Sequence, residues 1–511
     1  MCGNTASEDS LLQAEKWILS CCSSHENCSS GSPSPLPKRV IDTNLPYPRL
    51  YETHNELAHY ACLSHCWGTS RPTCATMSRT LEANQRCIEW ESMPRTFRDA
   101  IHFTRRLGIR FIWIDSICII QDDETDWREQ SAAMASIYQN AYLTLCATSS
   151  LSDDDGCYSH LRPDYVVRKM TMVKEDRMKY DVYFRVFSRT TRRRQHLPDW
   201  DRASMGYSRQ KFPLMTRAWA YQERLISPRL LHFTSGELMW ECSELRSCEC
   251  TPTEERRSPF FRYHSEKKNH SEALTHHNPG DIQRQWWKMV EDYSSLDLSF
   301  EKDKLPALSG VAKQIQSSRK DDEYLAGLWK NTLIDDLRWY AVHGEGKRPM
   351  VWRAPTWSWA SVDGLVFFHP KPQETHVYSR LLQASTTLSG PDSTGEVSAG
   401  FIVLSGPVIS ATMVEAQDRQ TEYALEAAGI RVPLQLDSNA DVNMGRLKVR
   451  DTLYCLRLMS SLAGEDLCLV LKAAGTTPIV YERVGHLEHS SELLDQNWFQ
   501  STNADVEVRI V

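Results

Sequence analysis

The stretch "YACLSHCWG", residues 60–68, sets Ser64 and His65 at the end of a short apolar run. Further on, the apolar run of "RFIWIDSICIIQ" ends at Asp115. A histidine with one ring nitrogen oriented by a carboxylate can pass a proton through the other. His65 and Asp115 therefore form a candidate acid/base pair, provided their two strands are neighbours. Purely structural roles fit the same residues: Asp115 caps the turn after it, and His65 is a satisfied buried histidine. Ser64 does not make this a serine hydrolase. Adjacent strand residues point to opposite faces, and no G-x-S-x-G elbow surrounds it.

A second candidate is Glu223 in "RAWAYQERLISPR". On a helix it shares a face with Trp219. A carboxylate beside an indole loses solvation, so its pKa rises and it can act as acid or base. The alternative is an internal ion pair of Glu223 with an arginine. A third group is "CCSSHENC", with Cys21, Cys22, His25 and Cys28, to which Cys242, Cys248 or Cys250 of "ECSELRSCEC" could add a ligand. Thiolates and imidazole suit zinc, but neither stretch holds a clean C-x-x-C pair and a closed site needs four ligands. The expectation is a helix end with reduced thiols and no assigned metal residue. No G-x-G-x-x-G or Walker A sequence occurs, so those modes of nucleotide binding are excluded.

Placing these residues requires a frame. Residues 59–64, 110–115 and 142–148 read as buried strands. The segment at 92–108 reads as a helix closed by Gly108, and the segment at 122–141 as a helix with an acidic first turn. Strand, helix, strand, helix, strand implies a parallel sheet with right-handed crossovers. Ligands bind beyond the carboxyl ends of such strands. Ser64, Trp67, Gly68, Cys118 and Gln121 are therefore expected to line the pocket, with Arg217, Trp219 and Gln222 from the Glu223 segment.

Around this core, "SLLQAEKWILSCC" is a helix and "SSGSPSPLP" a linker. Residues 166–173 and 180–187 suggest strands. Residues 216–242 suggest a short helix and a hairpin turning at "TSGE". Residues 324–340 read as helical, with Leu325, Leu328, Leu333 and Leu337 on one face. The expected segments are 1–50, a core domain at 51–243, a polar mobile insertion at 244–280, a Trp-rich helical region at 281–380 and a β-rich region at 381–511. The fold class is α/β, a parallel-sheet core followed by mixed helical and β-rich parts.

The 511 residues are 41% hydrophobic and 10% aromatic, as in a globular protein of more than one unit. A net charge of −7 gives no footprint for nucleic acid, and the basic run at 189–195 reads as a solvated loop. No stretch is long and apolar enough for a membrane span. No signal peptide or myristoylation pattern is evident, so the sixteen cysteines are expected as thiols in a cytoplasmic protein and the sequons at Asn27 and Asn269 unused.

Four blocks in order resemble the fungal heterokaryon incompatibility (HET) domain family. The first three are "YACLSHCWG"; "RFIWIDSICIIQDDETDWREQSAAMASIYQNAYLTLCA"; and "TRAWAYQERLISPRLLHF" followed by "WEC"; the segments downstream complete the match. Ala218 and Ala220 stand where members often carry glycine and a polar or aliphatic residue. "HENC", "RVID", "DKLPALSGVA", "YLAGLWKNTL" and "APTWSWASVDG" are similar to the flanking regions of many members. The resemblance implies a fold related to Toll/interleukin-receptor (TIR) domains and a part in self/non-self recognition and programmed cell death. Some TIR domains cleave NAD with a glutamate, for which Glu223 is the candidate here, making NAD a possible substrate rather than a cofactor. Three functions follow. One is a signalling module with protein partners or self-association. The second is an NAD-cleaving enzyme using Glu223. The third is an enzyme of fungal secondary metabolism, with a small-molecule ligand, His65/Asp115 as acid/base and tryptophans shaping its cavity.

Overall fold

The structure is a computed structural model and describes residues 3–28, 31–44, 47–68, 71–161, 168–173, 178–184, 212–249, 266–276, 278–342, 345–370, 375–416, 421–461, 464–475, 479–490, 498–499 and 505–511. The chain divides into two compact units, Met1–His276 and His277–Val511.

The first unit opens with α1 (Glu8–Ser24). Ser7 caps it by accepting from Ser10 N, Glu8 and Asp9 sit in its first turn, and Leu11, Ala14, Ile18 and Cys21 are buried at helical spacing. Next come β1 (Arg39–Asp42), β2 (Arg49–Glu52) and β3 (Tyr60–Ser64). Helix α2 (Arg95–Arg106) buries Phe97, Ala100, Ile101 and Thr104, and Gly108 follows it with φ +70°. Then come β4 (Phe111–Trp113), the one-turn α3 (Asp115–Cys118), α4 (Glu124–Gln139) and β5 (Leu143–Cys146). Asp123 caps α4 by accepting from Thr125 N and Asp126 N. After α5 (Ala218–Ile226) come β6 (Arg229–Phe233), β7 (Leu238–Cys242), β8 (Arg246–Cys248) and α6 (Glu266–His276).

These eight strands form one sheet in the order β8-β7-β6-β5-β3-β4-β1-β2. The central four, β6, β5, β3 and β4, are parallel, and β3 is buried along its whole length, as a strand covered on both faces must be. The edges are antiparallel: β1 against β4, β2 against β1, and β6, β7 and β8 as a meander turning at residues 234–237. The sheet is thus mixed rather than wholly parallel. Residues 39–52, which straddle the expected boundary at 50 between the N-terminal segment and the core domain, supply two of its strands. Arg39 explains why this edge is built in: its Nε donates to Cys118 O, 2.8 Å away, and its Nη2 pairs with buried Asp126.

Other expectations also change. The segment 244–280 contributes β8 and α6, so its described part is folded rather than loose. An antiparallel hairpin joins Arg168–Val173 to Lys179–Phe184; the rest of the two expected strands, and the basic run at 189–195, lie outside the described residues.

The second unit begins with α7 (Pro279–Ser294), capped by Asn278. Residues 324–340 are not one helix. Tyr324–Leu325 pairs with Leu328–Trp329 through a turn at Ala326 and Gly327, whose φ values are +45° and +101°. A Cβ on Gly327 would lie 2.6 Å from the Trp359 ring, so the position needs glycine on both counts. A 3-10 turn at Lys330–Thr332 leads into the one α-helical turn, Leu333–Asp336, and buried Asp336 accepts from Trp329 N, Thr332 Oγ1, Trp287 Nε1 and Gln283 Nε2. Local polar bonding therefore overrides the apolar helical period.

The β-rich part contains a closed barrel. Strands β9 (Val408–Glu415), β10 (Tyr423–Ala427), β11 (Ile430–Leu436), β12 (Thr452–Ser461), β13 (Glu465–Ala473) and β14 (Tyr481–Ser490) pair antiparallel in the ring β9-β10-β11-β14-β13-β12 and back to β9. Met413, Leu425, Val432, Leu453, Cys455 and Val470 pack in its core. Closure removes exposed sheet edges from the ring.

Breaking the Arg39–Asp126 pair leaves a buried guanidinium uncompensated. Asp126→Ala is expected to lower unfolding free energy by about 3–5 kcal/mol, read from the urea transition of the full chain. Lys38→Ala, which removes the half-exposed partner of Asp126, should cost less than about 1 kcal/mol. Equal losses in the two variants would refute this account of the edge.

Candidate functional site

The register of β3, β4 and β5 sets their carboxyl ends in a row: Cys62 lies opposite Trp113, and Ser64 opposite Cys146. Three loops leave this row, delivering His65, Asp115 and, from the segment after β5, Asp153.

His65 is buried and stands edge-on to Phe97 of α2, ring centroids 5.0 Å apart. Its Nε2 is 3.1 Å from Asp153 Oδ1 and 3.8 Å from Asp115 Oδ1. Neither approach has hydrogen-bond alignment, so Nε2 and both Asp153 carboxylate oxygens are buried without a hydrogen-bond partner among the described residues. Burial opposes a charged imidazole here, yet the Asp115 and Asp153 carboxylates outweigh it and raise the pKa of His65. Burial pushes the Asp153 carboxyl up. Asp115 is anchored: Trp67 Nε1 donates to its Oδ2 at 2.9 Å and Ser116 N to its Oδ1 at 2.7 Å. The expected His65–Asp115 neighbourhood therefore forms, but Asp153 is the nearer carboxylate. Sequence reasoning stopped at the end of the third strand; the available signal was the acidic triplet of "SDDDG" directly beyond it.

Ser64 points the other way, as strand alternation requires. Its Oγ donates to Glu223 Oε2 on α5. Glu223 makes no ion pair among the described residues, so the alternative of a structural arginine partner falls away. Burial pushes its carboxyl up to about 7. The helix carrying it is pinned from behind. Lys267 Nζ of α6 donates to the carbonyls of Arg224, Leu225 and Ser227 at the end of α5, and burial lowers the lysine pKa to about 8. Arg224, next to Glu223, makes a two-bond contact with Glu241 of β7 at 2.8 and 3.0 Å and reaches Glu266 at 3.1 Å. Burial would raise Glu241, but Arg224 and Arg246 outweigh it and hold its carboxyl well below the usual range.

The other expected pocket residues divide by exposure. Trp67, Gly68, Asp115 and Gln121 form the solvent-reachable rim. Gly68 has φ +79°, and a Cβ there would come 2.9 Å from Ser152 Cβ, so glycine lets the two loops meet. Gln121 Nε2 donates to the carbonyls of Asp115 and Ile119, holding the loop. Cys118 is buried and its thiol is pushed up to about 12, which suits packing rather than nucleophilic attack. Arg217 and Trp219 are half-buried at the start of α5, and Gln222 is buried within it. Arg217 favours the ionised forms of both Glu223 and Cys66. Seven tryptophans, Trp113, Trp240, Trp286, Trp329, Trp339, Trp357 and Trp359, are fully buried core residues, whereas Trp67 and Trp219 are the partly exposed ones at this site.

The arrangement offers a proton-holding carboxyl near neutral pH on one face of a strand end and, on the other, an imidazole whose pKa two nearby carboxylates raise. Apart from this site, Cys21, His25, Cys28 and Cys242 converge, four of the residues the sequence offered as possible ligands but did not assign to a metal. Cys22 and Cys248 are not among the four; Cys248 is disulfide-bonded, which corrects the expectation of thiols throughout, and Cys250 lies outside the described residues.

Residues 60–223 match the family model described as heterokaryon incompatibility protein (HET), which supports that family for this part of the chain. The matched segment begins at the first residue of β3 and ends on Glu223, and it contains Ser64, His65, Asp115 and Asp153. No curated protein and no solved structure matches the chain. Among the described residues, no helix is long and apolar enough to cross a membrane.

The raised Glu223 pKa fixes a sign. The folded chain keeps this proton where the unfolded chain has lost it, so the stability it contributes is present below pH 4.5 and is lost as pH rises through about 7. The full effect is about 3 kcal/mol. Glu223→Gln keeps an acceptor for Ser64 and cannot ionise. It should match the wild type in urea unfolding near pH 4.5 and exceed it by about 3 kcal/mol at pH 8. A variant less stable than wild type at pH 8 would overturn this description.

Proposed function

We propose that this chain acts in heterokaryon incompatibility, as a cytoplasmic effector of fungal self/non-self recognition. Its output is programmed cell death, reached through protein partners or self-association, and its matched segment is related to TIR domains. The observation that carries this reading is the coincidence of two boundaries: the HET match spans residues 60–223, and all five polar groups of the strand-end cluster lie inside it. A cluster of buried ionisable groups costs stability, and groups so perturbed gather at functional sites.

One observation favours a second, catalytic form of the same reading. Glu223 is buried against Ser64 with a carboxyl that exchanges its proton near neutral pH. Such a group suits cleavage of a glycosidic bond such as that between nicotinamide and ribose in NAD, where charge builds up and a proton must be managed. The secondary-metabolism reading has less support. His65 faces two carboxylates, and seven of the sixteen tryptophans are fully buried in the core.

Expression in a fungal host, with wild type beside Glu223→Gln and His65→Ala at matched protein levels, tests the proposal. Wild type should arrest growth and both variants should relieve the arrest. Full arrest by both variants, or none by the wild type, would sink the role given to the cluster. Incubation of the purified chain with NAD separates the catalytic form: release of nicotinamide should fall about 100-fold or more in Glu223→Gln. Growth arrest without any nicotinamide release leaves the signalling form alone standing.

A further inference from the structure

The end of α1 carries a constellation that the strand-end site does not use. Cys21 lies in its last turn, His25 is its C-cap residue, Cys28 follows, and Cys242 closes β7. The donor atoms of these four side chains all lie within 4.8 Å of one another. His25 Nδ1 is 3.3 Å from Cys242 Sγ and 3.7 Å from Cys28 Sγ. A tetrahedral ion with bonds of about 2.3 Å to sulfur and about 2.05 Å to nitrogen sets S···N edges of about 3.6 Å. The two separations bracket that edge.

We propose that this chain holds a structural zinc ion, bound by Cys21, His25, Cys28 and Cys242. Three soft thiolates and an imidazole in compact array select zinc over magnesium or calcium, which take oxygen ligands. Four protein ligands close the coordination sphere, so the ion serves the fold rather than chemistry on a substrate. The turn after β7 is built to receive thiolates. Leu245 N donates to Cys242 Sγ at 3.3 Å, and the backbone N–H groups of Ser243 and Glu244 turn to Cys28 and Cys242. Zinc replaces the three thiol protons, which pass to solvent, and leaves a site of net charge −1.

The ion would join elements far apart in the chain, since His25 and Cys242 are separated by 217 positions. Alongside it, Trp17 of α1 stacks on Trp240 of β7, ring centroids 6.2 Å apart. A cross-link closing so long a loop restricts the unfolded chain strongly. The clamp also borders the strand that fixes α5, because Glu241, which holds Arg224, precedes Cys242. All four ligands lie outside residues 60–223, so the matched family segment does not contain them. Cys22 is not a ligand: a Cβ on Gly31 would lie 2.6 Å from its sulfur, which faces that loop and Tyr142.

The test uses the full chain, purified under reducing conditions without added chelator. Elemental analysis should find one zinc per chain. Replacement by cobalt should give the intense visible bands of a tetrahedral thiolate-rich site together with sulfur-to-metal charge transfer. Cys242→Ser and His25→Ala should each weaken zinc binding at least about tenfold, while Cys22→Ser keeps full occupancy. Should the ligand variants fail to fold, the wild-type metal content and cobalt spectrum decide alone. A folded wild type without zinc and without the cobalt spectrum overturns the proposal. So does a disulfide between two of the three cysteines in the isolated chain, or loss of zinc in Cys22→Ser.

Discussion

The parallel pairing of three short strands is the constraint on which the rest of the first unit depends. Once Cys62 faces Trp113 and Ser64 faces Cys146, the carboxyl ends of β3, β4 and β5 cannot avoid lying side by side. Each strand must then give way to a loop over the same patch of sheet, and the polar groups of three loops share one small volume. His65, Asp115 and Asp153 meet for that reason. Strand alternation decides the remainder: Ser64 turns to the opposite face, where α5 brings Glu223 to it.

Burying these charges is costly, and the surrounding structure shows where the cost is offset. On one face, two carboxylates raise the pKa of the imidazole against the effect of burial. On the other, Glu223 makes no ion pair among the described residues, and burial outweighs the pull of Arg217 and His65, so it keeps its proton to higher pH instead. Its helix is held by strong charge-assisted contacts, Lys267 on the last carbonyls of α5 and Arg224 between Glu241 and Glu266. The site is poised electrostatically because its scaffold is compensated more fully than the site itself.

The proposed zinc clamp and the ion-pair network converge on β7. Neighbouring residues of that strand serve both: Glu241 anchors Arg224, and Cys242 supplies a thiol. Helices α1 and α5 both contact this strand, through Trp17 on Trp240 and Arg224 on Glu241.

The sequence by itself determined the elements whose signal is local. Apolar runs of strand length marked β3, β4 and β5. Helical spacing with an acidic cap marked α4, Gly108 closed α2, and "TSGE" turned the β6–β7 hairpin. These patterns also named His65, Asp115 and Glu223, because strand ends and amphipathic faces follow from periods of two and 3.6 residues. Only the tertiary structure decided what depends on partners distant in the chain. The edge strands β1 and β2 look like linker until Arg39 is seen bonded to Cys118 and Asp126. Lys267 looks like surface charge until it meets the carbonyls of α5. Asp153 has no periodic signature at all. The helix expected at 324–340 yields to a turn because Asp336 collects polar groups that no period encodes. A period reports which face of an element is buried; which charges and donors are buried together is set by contacts across the fold.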